Sequence, residues 1–138
     1  MQSHTYPRFE PAPNQTYKIC SYKDTGKALT IQPGSMRIII QNYSASPSQH
    51  FHIYRNNTAN NRFAIVCDDM AVRILDENAN DGAIVSADIK QYPSSYFEIT
   101  PINNSQDVGK TCFIKTFCGK VLDVKGGFTF NNTEVCQW

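Results

Sequence analysis

The sequence repeats a loose pattern about every 46 residues, and this internal repeat constrains the fold more than any other feature. The Gly-Lys pair at 26–27 recurs at 119–120, 93 residues later, and Arg62–Cys67 fills the position midway. Ser48–Ile53 and Ser94–Ile99 also lie 46 residues apart, each with a polar pair before an aromatic residue. A repeat of this length predicts a structural unit that buries its apolar face only against neighbouring units.

Each repeat reads as short strands. Apolar alternations are separated by Gly, Asn, Asp, Ser and Pro clusters, and no stretch keeps a helical i, i+3, i+4, i+7 pattern for three turns. About four strands in each of three units predict a closed, pseudo-threefold, all-β domain, because closure hides exposed sheet edges. The predicted strands are Tyr17–Ser21, Ala28–Gln32, Arg37–Asn42, Phe51–Tyr54, Arg62–Cys67, Val72–Asp76, Ile84–Ala87, Tyr96–Thr100, Cys112–Thr116, Val121–Lys125 and Glu134–Trp138.

The alternation also predicts which side chains point inward. They are aliphatic or aromatic residues at every second position of the strands, and we assign them no role beyond the core. The predicted core is Ile19, Leu29, Ile38, Ile40, Phe51, Ile53, Ile65, Val72, Ile74, Val85, Phe97, Ile99, Ile114, Leu122, Val124 and Val135.

A length of 138 residues fits one domain, with repeats at approximately 16–55, 61–101 and 110–138. The third repeat stops at Trp138, one strand short. We hypothesise that the segment 1–15 supplies the closing strand, which would bring Gln2 and His4 near Trp138. Pro7 counts against this, because proline cannot donate to a strand ladder. A truncated chain and a partner chain that completes the barrel remain alternatives.

Charge and hydropathy exclude several classes of partner. The formal net charge is +1, and no run of Lys or Arg could neutralise several phosphates, so nucleic acid is not an expected partner. No apolar run is long enough to span a membrane, and residues 1–10 lack the apolar core of a secretory signal. We therefore expect a soluble protein that is cytoplasmic or released without a conventional signal peptide. The five cysteines lack metal spacing, which favours free, mostly buried thiols.

The third repeat carries a family resemblance. The stretch Gly119–Gly127, with the letters GKVLDVKGG, and then Asn131–Trp138, with NNTEVCQW, resembles one repeat of the ricin-B-type lectins. The first two repeats keep only the outline of that pattern. The resemblance implies a β-trefoil fold and a non-catalytic lectin that binds galactose-like sugars, with mannose as an open alternative.

Carried over residue by residue, the resemblance implies one sugar site in the third repeat. The family's sugar-orienting aspartate falls on Asp123 and its stacking aromatic residue on Trp138, while Gln137 belongs to the family's apolar-Gln-Trp strand end. A carboxylate accepts strong hydrogen bonds from neighbouring hydroxyls, and the C–H face of a sugar lies well against an aromatic ring. Asn131 and Asn132, in the loop between them, add amides that both donate and accept.

The corresponding carboxylate position is assigned to Thr30 in the first repeat and to Ile74 in the second, so both equivalent sites are expected to be degenerate. Two residue pairs are weaker candidates for relocated sites: Asp76 with Asp88, and Tyr43 with Gln41.

The sequence carries only weak signals of catalytic or metal-binding chemistry. His50 and His52 share a strand face, but a third metal ligand at proper spacing is missing. The acidic stretch 76–82 lacks the spacing of a calcium loop and is interpreted as a solvated hairpin turn. No nucleophile signature surrounds any cysteine or serine. We therefore expect no cofactor, no metal and no enzymatic activity.

Glycans or glycoproteins are the expected partners, with weak sites reinforced by multivalency or by a homodimer. Two other functions remain open. A trefoil protease inhibitor would present one exposed loop, Asn56–Asn61, Asn78–Gly82 or Asn103–Gly109. A non-catalytic partner subunit of an enzyme would use an apolar patch instead.

Overall fold

Short β-strands make up nearly all of the regular structure. The protein is described by a computed structural model that covers residues 9–12, 14–56, 62–102 and 111–138. Four 3₁₀ turns of three residues each connect strands within these ranges. The strands are β1 Lys27–Ile31, β2 Ile38–Asn42, β3 His52–Arg55, β4 Phe63–Cys67, β5 Met70–Ile74, β6 Val85–Asp88, β7 Tyr96–Pro101, β8 Cys112–Lys115, β9 Leu122–Val124 and β10 Thr133–Gln137.

The strands group into three units that correspond to the sequence repeats. Unit 1 contains β1 to β3, unit 2 contains β4 to β7 and unit 3 contains β8 to β10. The predicted strand Tyr17–Ser21 opens unit 1 but forms only isolated bridges, from Tyr17 to Phe51 and from Cys20 to Ala28. Its backbone still bonds on both sides, because Tyr17 exchanges hydrogen bonds with Phe51 and Ile19 accepts from Leu29.

One set of strands forms the wall of a barrel. After the bridge between Tyr17 and Phe51, β3 pairs with β4, β4 with β7, and β7 with β8, all antiparallel. Within the described residues, the wall therefore joins unit 1 to unit 2 and unit 2 to unit 3 by direct strand pairing.

The remaining strands form three hairpins that cap the barrel: β1–β2, β5–β6 and β9–β10. Their second strands meet around the pseudo-threefold axis. Thr133 of β10 pairs with Ile40 of β2, Ile84 bridges to Cys136, and Arg37 bridges to Ser86. The three units thus close a ring in which each hairpin contacts the other two.

The core confirms the predicted inward set. Eleven of its sixteen members are buried, and Ile19, Ile53, Ile114, Leu122 and Val124 are partly buried and pack against the core. Phe51 and Phe97, at equivalent positions in units 1 and 2, are fully buried. Burying side chains of this size is worth roughly 1.5–3 kcal/mol each.

A second, smaller cluster of buried side chains includes Phe9. The ring of Phe9 contacts Phe63 edge-on with centroids 5.5 Å apart, and Tyr17 at 5.8 Å. Glu10 pairs with Arg55 at 3.0 Å. None of residues 9–12 belongs to a strand. Residues 1–8, which include Gln2, His4 and Pro7, and residue 13 lie outside the described residues, so the closing strand stays a prediction.

Candidate functional site

The β9–β10 hairpin brings Asp123 and Trp138 to one face. Asp123 pairs with Cys136, and the backbones of Val121 and Trp138 exchange hydrogen bonds of 2.9 and 3.1 Å. Because side chains alternate along a strand, Asp123, Cys136 and Trp138 share the outer face. Diagonal neighbours of this kind lie about 7–8 Å apart. This separation would allow the Asp123 carboxylate to bind the edge of a small ring-shaped ligand while the Trp138 ring stacks on the face of the same ligand.

Asp123 is exposed and only partly engaged. One carboxylate oxygen, Oδ1, accepts a hydrogen bond from the backbone N–H of Val124 at 2.8 Å. That bond fixes the orientation of the carboxylate, and Oδ2 accepts no hydrogen bond from the described residues. The group therefore keeps acceptor capacity for ligand hydroxyls.

Trp138 is 64% exposed, so it is not the buried core residue that a purely structural role would require. Its ring packs beside Gly82 of unit 2: a Cβ added to Gly82 would lie 3.9 Å from the ring. Gly82 also donates its backbone N–H to the carbonyl of Gln137 at 2.8 Å. The loop of unit 2 thus supports one side of the ring and leaves the rest open to solvent.

Gln137 points the other way. Its side chain is fully buried, and Nε2 donates to the carbonyl oxygens of Asn78 (2.7 Å) and Asn80 (3.0 Å). Oε1 accepts from Cys118 Sγ at 3.5 Å. Gln137 therefore holds the loop of unit 2 against β10, and its polar groups do not face the side that carries Asp123.

Asn131 and Asn132 are engaged with unit 1 instead. Asn131 Oδ1 accepts from Lys27 Nζ and from the backbone N–H of Asn42, both at 2.9 Å. Asn132 Oδ1 accepts from Gln41 Nε2 at 2.7 Å. Asn132 lies four residues before the residue opposite Asp123, or about 13 Å along an extended chain. The structure does not bring these two amides to the pair of Asp123 and Trp138.

The strand registers correct one assignment made from sequence. Ile74 pairs with Val85 in unit 2, just as Val124 pairs with Val135 in unit 3, and all four side chains belong to the core or pack against it. The residue equivalent to Asp123 is therefore Arg73, one position before Ile74. The same comparison keeps Thr30 as the equivalent in unit 1, because Thr30 pairs with Ile39 and precedes Ile31, which pairs with Ile38.

In unit 2, the arginine fills the equivalent position. The Arg73 side chain is only 7% exposed and pairs with Glu77 at 3.0 Å and with Asp88 at 3.6 Å. Its guanidinium lies 3.7 Å from the centroid of the Tyr92 ring, a cation–π geometry. Glu77 also accepts from Ser94 through both the backbone N–H (2.7 Å) and the hydroxyl (2.6 Å). This network was missed in the sequence, where Glu77 was counted with a solvated turn.

In unit 1, a buried amide binds the equivalent residue, Thr30. Gln49 Nε2 donates to Thr30 Oγ1 at 3.1 Å and to the carbonyl of Asn42 at 3.0 Å. Tyr43 contacts His50, with its hydroxyl 2.9 Å from Nε2.

The residues proposed for relocated sites are therefore engaged in part with the protein itself. Asp88 pairs with Arg73, and Gln41 binds Asn132. Asp76 lies exposed in a 3₁₀ turn with φ of 55°.

The thiol of Cys136, on the strand face shared with Asp123 and Trp138, is expected to react slowly. Burial raises the pKa of Cys136, and the carboxylate of Asp123 raises it further. All five cysteines are free, but only Cys67 and Cys136 are buried, so the thiols are less buried than predicted.

Cys118 differs because it is exposed, and we expect it to be alkylated fastest. Its slight desolvation acts to raise the pKa, but hydrogen bonds from Thr116 and the Lys120 backbone, and the charge of Lys120, lower the pKa overall. The reactive thiolate therefore appears at a lower pH than at the buried thiols. Iodoacetamide labelling of the folded protein, followed by peptide mass spectrometry, measures the order. Equal labelling of Cys67 or Cys136 would contradict it.

The structure also describes the two histidines that were considered as metal ligands. His50 and His52 are both half-buried, and His52 stacks on Tyr54 with centroids 5.8 Å apart. Among the described residues, no group of three or more His, Cys, Asp or Glu side chains could hold a metal ion. No helix in the same ranges is long and apolar enough to cross a membrane.

Of the loops proposed for protease inhibition, only Asn78–Gly82 is fully described. This loop is exposed, and the carbonyl oxygens of Asn78 and Asn80 accept hydrogen bonds from the Gln137 side chain. Nearly all of Asn56–Asn61 and all of Asn103–Gly109 lie outside the described residues.

Known structures share this architecture. ThreeFoil, a designed threefold-symmetric protein, matches with a TM-score of 0.75 and 19% identity over 89% of this chain and 88% of that chain. The BEL β-trefoil matches with a TM-score of 0.71 and 14% identity over 96% of this chain and 88% of that chain. SeviL, solved with the asialo-GM1 saccharide, gives a TM-score of 0.58 and 8% identity over 90% and 92%.

The same fold also matches part of a longer chain. An exo-β-1,3-galactanase from Clostridium thermocellum matches with a TM-score of 0.75 and 22% identity over 94% of this chain but only 28% of that chain. No protein-family model and no curated protein matches the sequence. The structural similarities establish the fold: the chain is an all-β protein with the β-trefoil fold, as the repeats and the resemblance predicted.

Proposed function

We propose that this protein is a non-catalytic, carbohydrate-binding β-trefoil of the ricin-B lectin type, with one sugar site in unit 3. The observation that carries the proposal is the shared face of Asp123 and Trp138. One is an exposed carboxylate with spare acceptor capacity, and the other is an exposed aromatic ring braced by Gly82. A neutral sugar needs this combination, hydrogen bonding at its hydroxyls and stacking on its C–H face.

The other two units support a single site by contrast. At the position of Asp123, unit 1 has Thr30, which accepts a hydrogen bond from the buried Gln49. Unit 2 has Arg73 there, and its buried guanidinium is paired with Glu77. Neither position offers an exposed carboxylate. One structurally similar protein, SeviL, is bound to the saccharide of asialo-GM1, which is consistent with glycan binding by this fold.

Asp123→Ala is expected to abolish selective glycan binding, because it removes the acceptor that orients the sugar. Binding is measured on an array that includes galactosides and mannosides, with thermal melting to confirm folding. The matched control is Glu98→Gln, which neutralises a carboxylate on β7 that pairs with Arg62 at 3.6 Å. We expect the control to bind like the wild type.

Three outcomes distinguish the alternatives. Binding that is lost only in a folded Asp123→Ala protein supports the site in unit 3. Binding that survives moves the site elsewhere. No binding by the wild type to any glycan overturns the lectin proposal and favours protease inhibition or an enzyme-partner role.

A further inference from the structure

A second exposed aromatic surface lies on the opposite flank of unit 3. Phe128 and Phe130 are 56% and 69% exposed, and their rings stack with centroids 5.7 Å apart and planes 26° apart. They belong to the loop before β10, next to unit 1, whereas Trp138 packs beside unit 2. We call Phe128, Phe130 and the adjacent Lys23 the aromatic patch.

The local backbone holds the rings in place. Gly126 has φ of 66°, and a Cβ added there would lie 2.6 Å from the Phe128 ring. The Phe128 ring therefore lies directly over Gly126, in space that the side chain of any other residue at position 126 would occupy. Such a pre-positioned aromatic surface loses little entropy when a ligand stacks on it.

The polar groups around the rings are mainly hydrogen-bond donors. Lys23 Nζ donates to the carbonyl of Gly127 at 3.4 Å, a long bond that leaves its other two N–H groups available. Asn131 uses Oδ1 twice as an acceptor, from Lys27 and from the Asn42 backbone, so its amide N–H groups remain for a ligand. The one carboxylate in the adjoining turn, Asp24, accepts from the Gly26 backbone at 2.9 Å.

Donors and a cation beside exposed rings complement a ligand with an apolar face and an anionic oxygen group. We propose that the aromatic patch is a second carbohydrate-binding site, selective for acidic glycans that carry a terminal carboxylate. The sugar face stacks on Phe128 and Phe130, and the anion pairs with Lys23. This inference extends the proposed lectin function, on which it rests for its ligand class.

The test compares sialyllactose with lactose by isothermal titration. In the wild type, sialyllactose binding should weaken as salt rises, because it includes an ion pair. The double variant Phe128→Ala/Phe130→Ala and the single variant Lys23→Gln should each lower sialyllactose affinity about tenfold or more, while lactose affinity stays unchanged. Lys23→Gln tests the site independently if the double variant does not fold. Tyr54→Ala, which removes an exposed ring stacked on His52, is the matched control and should bind both sugars normally.

The outcomes separate this proposal from the first. Lactose binding without any additional sialyllactose affinity overturns the second site alone. Absence of both activities, together with no binding to any glycan on the array, overturns the lectin function as well. Binding to phosphatidylserine vesicles that carry no glycan, lost in the same patch variants, would replace the glycan with an anionic membrane surface and also overturn the proposal.

Discussion

Glu77→Gln is expected to lower the free energy of unfolding by about 3 kcal/mol, since it leaves the buried Arg73 charge poorly compensated. Asp88 remains, but at 3.6 Å from the guanidinium. The substitution keeps the size of the side chain, so the loss reports charge and hydrogen bonding, including the two bonds from Ser94. Urea denaturation measures it as a shift in midpoint at constant slope.

The control for this prediction is an exposed ion pair. Glu98→Gln breaks the partly exposed pair with Arg62, and such pairs contribute at most about 1 kcal/mol. If Glu77→Gln and Glu98→Gln lower the free energy of unfolding by the same small amount, the ion pairs of Arg73 are solvated. The Arg73 network then does not stabilise unit 2.

Gln137→Ala is expected to cost a similar amount, about 3 kcal/mol, because it opens a cavity and leaves the carbonyls of Asn78 and Asn80 without a partner. Gln137→Met restores most of the volume and should recover part of the loss. Both variants should also weaken sugar binding, since the loop that braces Trp138 is released. Chemical denaturation and glycan titration measure the two effects together.

An exposed glutamine provides the comparison. Gln91 accepts a hydrogen bond from the Tyr96 hydroxyl at 2.6 Å on the surface, and Gln91→Ala should change stability by less than about 0.5 kcal/mol. A direct sugar-binding role for Gln137 would have a different result: binding lost in a Gln137→Met protein whose stability is unchanged.

The sequence predicted the units and the core because both depend on local alternation. Ile38, Ile40 and Phe51 follow the period of a strand, and all three are fully buried. The equivalence of Arg73 and Asp123 could not be found in this way. The turn before β5 differs from the turn before β9, so aligning the two repeats by sequence assigned Ile74 to the position of Asp123. The strand register, in which Arg73 pairs with Ser86 and Ile74 with Val85, identifies Arg73 instead.

The candidate site likewise combines residues that were predicted from the sequence with contacts that only the structure shows. Asp123 and Trp138 were predicted from the family resemblance of the third repeat, and the alternation of side chains on β9 and β10 explains why they share a face. Gln137 follows the same alternation to the opposite side, but its partners in the loop of unit 2 are 57 and 59 residues away in the chain. Contacts over such distances are set by how the units meet, which no local pattern in one repeat records.

The ring of hairpins also has consequences for folding kinetics. The pairing of Thr133 with Ile40 closes a loop of 93 residues, and it completes the ring only after most of the chain has emerged. Closing large loops costs entropy before the contacts repay it, so folding should be slow, on the millisecond-to-second scale typical of non-local β-proteins. Until then β2 lacks one neighbour, and during synthesis its free edge is open to pairing with other chains.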